Sequence, residues 1–113
     1  MSAYADRVVV VTGASEGIGR AFCLDLAGRR ARLVVAARNL ERLQSLAVQC
    51  REAGAQVLVQ PVDVTSADSC RALIDATVAR YGTLDVLVNN AGGTMWTPFD
   101  AIVDLTIFDR VIA

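Results

Sequence analysis

The chain has 113 residues, 54% of them hydrophobic and 20% charged, with 11 basic and 12 acidic side chains giving a formal charge of −1. That balance excludes a disordered polymer and argues against a nucleic-acid surface, which needs a basic excess. No apolar run approaches the roughly 18 residues of a membrane span, and residues 1–6 lead straight into strand-like sequence, leaving no room for a signal peptide. The expectation is one soluble, cytoplasmic domain over residues 1–113.

The basic residues are all arginine, since the sequence contains neither lysine nor histidine. A permanently protonated guanidinium is a poor general base, so no histidine relay or lysine Schiff base can be built from this chain. Cys23, Cys50 and Cys70 are widely spaced, form no C-x-x-C pair and have no histidine to complete a zinc site. They read as small, semi-buried side chains, and no metal is expected.

Along the chain, strand-type and helix-type segments alternate. Val8–Val11 is a continuous β-branched run, as expected of a strand covered on both faces. A helix follows, with Ile18, Phe22 and Leu26 at intervals of four. Leu33–Ala37 reads as the second strand, and Leu40, Leu43, Ala47 and Cys50 mark the second helix. Val57–Val59 is the third strand. The third helix carries Leu73, Ile74, Thr77, Val78 and Tyr81, with Thr65 or Ser66 as N-cap, Asp68 in its first turn and Gly82 after its end. Leu84–Val88 supplies a fourth strand. This alternation predicts an α/β fold of the Rossmann type, a doubly wound parallel sheet of four strands in the order 3-2-1-4 with helices on both faces.

Beyond Gly92-Gly93, Thr97-Pro98 reads as an N-cap and first helical residue, and helix is predicted through Ile102, Val103 and Phe108. Met95, Trp96 and Phe99 read as packing residues or as the lining of a substrate mouth. A sheet ending at strand 4 would leave Val86-Leu87-Val88 as an unpaired apolar edge, which predicts marginal stability or pairing through that strand. Charge is also uneven. Residues 1–62 carry eight arginines against five acids, and residues 63–113 three against seven, so the first half is the better suited to an anionic ligand.

Thr12-Gly13-Ala14-Ser15-Glu16-Gly17-Ile18-Gly19 lies where the first strand becomes the first helix. A helix N-terminus offers free amide hydrogens and partial positive charge, and glycines let a phosphate come close. Gly13 suits the tight turn, Gly17 the approach of a diphosphate and Gly19 close packing of helix on sheet. Strand before and helix after supply the context that such a motif requires.

The T-G-x-x-x-G-x-G spacing resembles that of the short-chain dehydrogenase/reductase family. Asn89-Asn90-Ala91-Gly92 after the fourth strand is similar to that family's N-N-A-G fingerprint, and Asp63-Val64 after the third strand is similar to its adenine-contacting Asp-Val pair. The three motifs occur in order and span nearly the whole chain. The resemblance implies a dinucleotide site formed by Gly13, Ser15, Glu16, Gly17, Ile18, Gly19, Arg38, Asn39, Asp63, Val64, Asn90, Ala91 and Gly92. Asp63 would accept the adenine amino group, Asn89 would bridge strands, and Ala91 and Gly92 would lie beside the nicotinamide ribose.

The end of strand 2 distinguishes the two nicotinamide cofactors. A carboxylate there binds the ribose 2′-hydroxyl of NAD, and an arginine accommodates the 2′-phosphate of NADP. Positions 36–39 read Ala36-Ala37-Arg38-Asn39, with no carboxylate, and a planar guanidinium can hold a phosphate by paired, charge-assisted bonds. NADP(H) is therefore expected over NAD(H).

In the family that the chain resembles, hydride transfer uses a tyrosine with a lysine four residues on, supported by a serine and an asparagine. Here Val8 stands four residues after Tyr4, and Asp85 four after Tyr81. The sequence thus reads as the cofactor-binding half of an NADP-dependent alcohol or carbonyl oxidoreductase, inactive by itself, with the catalytic residues expected beyond Ala113. The complete enzyme would act on a small alcohol or carbonyl and assemble as a homo-oligomer. The alternative is a non-catalytic NADP-binding or regulatory fragment that pairs with a longer relative.

Overall fold

The computed structural model describes residues 4–15, 17–89 and 102–104. In chain order the elements are β1 (Val8–Thr12), α1 (Gly17–Gly28), β2 (Arg32–Ala37), α2 (Leu40–Glu52), β3 (Gln56–Pro61), α3 (Ala67–Tyr81), β4 (Val86–Asn89) and β5 (Ile102–Asp104). The sheet has the order β3-β2-β1-β4-β5. The four parallel strands take the predicted order 3-2-1-4: Val10 is registered with Val34 on one side and Leu87 on the other, and Val34 with Leu58.

Burial explains why these segments are strands. Val8 through Val11 are fully buried, and their side chains alternate between two cores, as the two-residue period of a strand requires. On one face Val9, Val11, Leu33, Val35 and Val57 pack with Cys23 and Leu26 of α1 and with Leu43, Leu46 and Cys50 of α2. On the other, Val10, Val34 and Leu87 pack with Leu73 of α3 and with Val62. Asp85 ties β1 to the start of β4: its carboxylate accepts from the Val8 amide at 2.9 Å, and its own amide donates to the Val8 carbonyl at 3.0 Å. Asp85→Ala leaves the Val8 amide without that acceptor in a part-buried place, and should lower unfolding stability by about 1–2 kcal/mol in a denaturant titration.

The helix ends follow the chemistry of their residues. Ser66 is the N-cap of α3, accepting from the Ser69 amide at 3.2 Å, and Gly82 closes that helix in the left-handed conformation with φ 80°. Asn39 caps α2, its side chain accepting from the Arg42 amide at 3.0 Å.

Three expectations are corrected. The buried face of α1 is Gly19, Cys23, Leu26 and Ala27; of the predicted stripe Leu26 is buried and Phe22 packs part-buried on the same core, but Ile18 does not belong to it. Ile18 points outward, 78% exposed, because the glycine turn delivers α1 to the sheet with Gly19 inward. Residues 102–104, predicted as helix, form the antiparallel strand β5, with Leu87 registered on Val103 and Val88 on Ile102. β4 is therefore not an unpaired edge: β-branched Ile102 and Val103 favour extended backbone, and the β4 ladder offers partners that a helix there would leave unused. The expectations for Met95, Trp96, Thr97-Pro98 and Phe99 fall outside the described residues.

Candidate cofactor-binding site

Because β1 to β4 are all parallel, their carboxyl ends lie at a single edge of the sheet. Thr12, Ala37, Pro61 and Asn89 end β1, β2, β3 and β4 there, and the order reverses between β1 and β4, the place where open α/β sheets bind ligands. The glycine turn after β1 is anchored at this edge. The Ala14 amide donates to the Ala36 carbonyl at 3.2 Å, Ala14 is fully buried, and the Thr12 hydroxyl is 3.5 Å from the Val88 carbonyl.

Within the turn, Gly13 and Gly17 take φ values of 63° and 62°, in the left-handed region that glycine occupies without steric cost. Among the described residues, and apart from its chain neighbours and the backbone of its own helix, a Cβ built on Gly17 would meet nothing within 4 Å. The described residues thus leave room for a ligand to approach the Gly17 backbone. The first turn of α1 carries no carboxylate, so the positive end of the helix dipole is not neutralised from within that turn. Ser15 is half-buried in the turn and Gly19 is buried against the sheet. This donor set and access fit a diphosphate.

A second group of predicted residues meets at the ends of β2 and β3. The Val62 amide donates to the Ala37 carbonyl at 3.0 Å, which sets Arg38 beside Asp63 across 25 positions of sequence. Arg38 Nη2 lies 2.9 Å from Asp63 Oδ1, with the Arg38 side chain 70% exposed and that of Asp63 47% exposed. Arg38, Pro61, Val62, Asp63 and Ser69 line a cavity of about 350 Å³. Asp63 is fixed from several sides. Its amide donates to Ser69 Oγ at 2.8 Å, and its Oδ1 accepts from the Thr65 amide at 2.9 Å and the Thr65 hydroxyl at 2.6 Å. The Thr65 hydroxyl, then the Thr65 amide, then the Arg38 guanidinium pull the Asp63 carboxyl down to about 2. A lowered carboxyl favours the folded state above its ordinary value, and that contribution disappears as pH falls toward 2.

The predicted residues therefore fall into two clusters at one sheet edge: Gly13, Ser15, Gly17, Ile18 and Gly19 at the β1–α1 turn, and Arg38 with Asp63 at the cavity. Val64 packs part-buried on the α3-side core, and its carbonyl accepts from the Cys70 thiol at 3.8 Å. Asn39 has another task, capping α2. Glu16, Asn90, Ala91 and Gly92 lie outside the described residues. Two side chains that were not read as part of the site hold Asp63: Thr65, an N-cap candidate that yields that task to Ser66, and Ser69, whose hydroxyl accepts from the Asp63 amide at the start of α3.

Tyr81 is remote from this edge. Its hydroxyl donates to the Leu33 carbonyl at 3.2 Å near the amino end of β2, and the guanidinium groups of Arg32 and Arg80 lie 5.6 and 5.4 Å from the centre of its ring. Burial pushes its phenol up. Among the described residues no group of acidic, cysteine or histidine side chains could hold a metal, and no helix is long and apolar enough to cross a membrane. Burial, reinforced by the neighbouring Cys50, pushes the Cys23 thiol up to about 12, and burial likewise raises Cys50 against the opposing charges of Arg20 and Arg51. Both should resist iodoacetamide in the native state at pH 8 and react only on denaturation, as peptide mass spectrometry would show.

The model of the family described as short chain dehydrogenase matches residues 7–113. Among curated proteins, 11-beta-hydroxysteroid dehydrogenase A of Sesamum indicum is 44% identical over 103 residues, covering 90% of this chain and 30% of its own length. A metagenomic short-chain oxidoreductase solved with NADP superposes with a TM-score of 0.76 at 38% identity, over 80% of this chain and 41% of that one. Hydroxysteroid dehydrogenase from Escherichia coli gives a TM-score of 0.77 at 31% identity, over 95% of this chain and 45% of that one. The chain spans about a third of the length of the curated relatives it matches. With the glycine turn, the sheet order and the matched span in agreement, the chain belongs to the short-chain dehydrogenase family of oxidoreductases.

Proposed function

We propose that this chain is the cofactor-binding part of an NADP-dependent oxidoreductase acting on an alcohol or carbonyl. The observation that carries the cofactor preference is Arg38: a mostly exposed guanidinium at the end of β2, on the rim of a cavity, where an NAD-preferring site places a carboxylate. The glycine turn would hold the diphosphate on amides of the α1 N-terminus, with the open space beside Gly17 admitting it. Asp63 would accept from the adenine amino group, and Arg38 would bind the 2′-phosphate. Bound NADPH would supply the hydride. This chain's own residues bind and orient; having no lysine, it has no Tyr-x-x-x-Lys pair to protonate an alkoxide and is by itself inactive in carbonyl reduction.

Calorimetric titration of the purified chain with NADP+ and NAD+ tests this directly. Tighter binding of NADP+ supports the reading, and equal or tighter binding of NAD+ refutes it.

A further inference from the structure

We propose that Thr65 is a positioning residue at the adenosine end of this site, holding the Asp63 carboxylate in place while Arg38 exchanges that carboxylate for the 2′-phosphate of the cofactor. The proposal rests on the NADP reading above and deepens it by naming what makes the arginine available.

Three donors converge on one oxygen: the Thr65 amide, the Thr65 hydroxyl and Arg38 Nη2 all reach Asp63 Oδ1, at 2.9, 2.6 and 2.9 Å. A carboxylate oxygen offers about two good lone-pair directions, so a third donor on the same atom is held less firmly than it would be alone. The Thr65 donors lie two positions along the chain, in a turn pinned by the Asp63 amide on Ser69 Oγ and by the Ser66 cap of α3. The Arg38 donor sits on a long side chain, 70% exposed, for which water compensates the loss of a partner. Arg38 is therefore the donor that leaves. The three donors all fall on Oδ1, so Oδ2 is the oxygen that would serve a ligand amino group.

Without the Thr65 hydroxyl, the carboxylate leans more heavily on Arg38, and drawing the guanidinium to a phosphate costs more. A ligand lacking the 2′-phosphate asks for no exchange. Thr65 thus acts chiefly on NADP, the two cofactors sharing only the smaller effect through the adenine contact to Asp63, and the depressed Asp63 carboxyl, with the Thr65 hydroxyl as its largest cause, agrees with this geometry.

The test is calorimetric titration of wild type, Thr65→Val and Thr65→Ser with NADP+ and with NAD+ at one pH and salt, alongside an NMR pH titration of the Asp63 carboxyl carbon. Thr65→Val should weaken NADP+ binding roughly three- to tenfold, leave NAD+ within about twofold and raise the Asp63 midpoint; Thr65→Ser should restore all three. Unchanged NADP+ affinity, a parallel fall for both cofactors, or a serine variant that behaves like valine overturns the proposal. A wild type without preference for NADP+ overturns the functional reading beneath it, and the proposal with it.

Discussion

Arg38→Asp should weaken NADP+ binding by about a hundredfold and reverse the cofactor preference. The substitution removes the charge-assisted bonds that a guanidinium can make to a phosphate, each worth about 1.5–3 kcal/mol before solvent screening, and aims a carboxylate at the same dianion. It also exchanges the ion pair with Asp63, now 2.9 Å long, for two carboxylates at the rim of one cavity, which raises the carboxyl that is at present depressed to about 2. NAD+ loses nothing by the change and gains an acceptor for its ribose 2′-hydroxyl, so its affinity should hold or rise a few-fold. Because Arg38 is mostly exposed and its ion pair with Asp63 is screened by solvent, thermal unfolding should move little. Paired titrations with the two cofactors check the result, and a variant that still prefers NADP+ would show that Arg38 does not recognise the extra phosphate.

The second large effect is expected at Gly17. Its φ of 62° costs an L-residue about 1–2 kcal/mol, and among the described residues beyond its chain neighbours and own helix backbone a Cβ there meets nothing within 4 Å. Gly17→Ala should therefore lower stability by only that amount, a shift of some degrees in Tm, while the methyl group stands in the path of the diphosphate and weakens binding of both cofactors at least tenfold. The pattern differs from that of Arg38→Asp, which discriminates between cofactors. A Gly17→Ala protein that binds NADP+ as well as wild type would place the diphosphate elsewhere.

Much of the framework is legible in the sequence because strong local signals and burial agree. The β-branched run Val8–Val11 could be covered on both faces only in the middle of a parallel sheet, and it lies between β2 and β4. Gly82, read as the stop of the third helix, has the positive φ that such a stop requires. The turn at Gly13 and Gly17 likewise has the left-handed backbone its glycines suggest. What the sequence hid was set by contacts between distant positions. Nothing in the linear order couples Arg38 to Asp63; the β2–β3 register and the Val62–Ala37 hydrogen bond bring them together. Asn39 was legible as a polar residue beside the site, but the start of α2 claims its side chain as a cap. Ile18 fits the apolar period of α1, yet the glycine turn rotates the helix so that Gly19 faces the sheet. Residues 102–104 carry too few turns of pattern to separate helix from strand, and pairing with β4 decides the matter.

The most direct test is a titration of NADP+ into ¹⁵N-labelled protein, followed through the backbone amide resonances. The expected result is saturable movement of the Gly13, Ser15, Gly17, Ile18 and Gly19 amides, with the Arg38 side-chain Nε–H resonance shifting along the same binding curve. Saturation with those amides unmoved, or with shifts confined to another edge of the sheet, would contradict a diphosphate held at the N-terminus of α1.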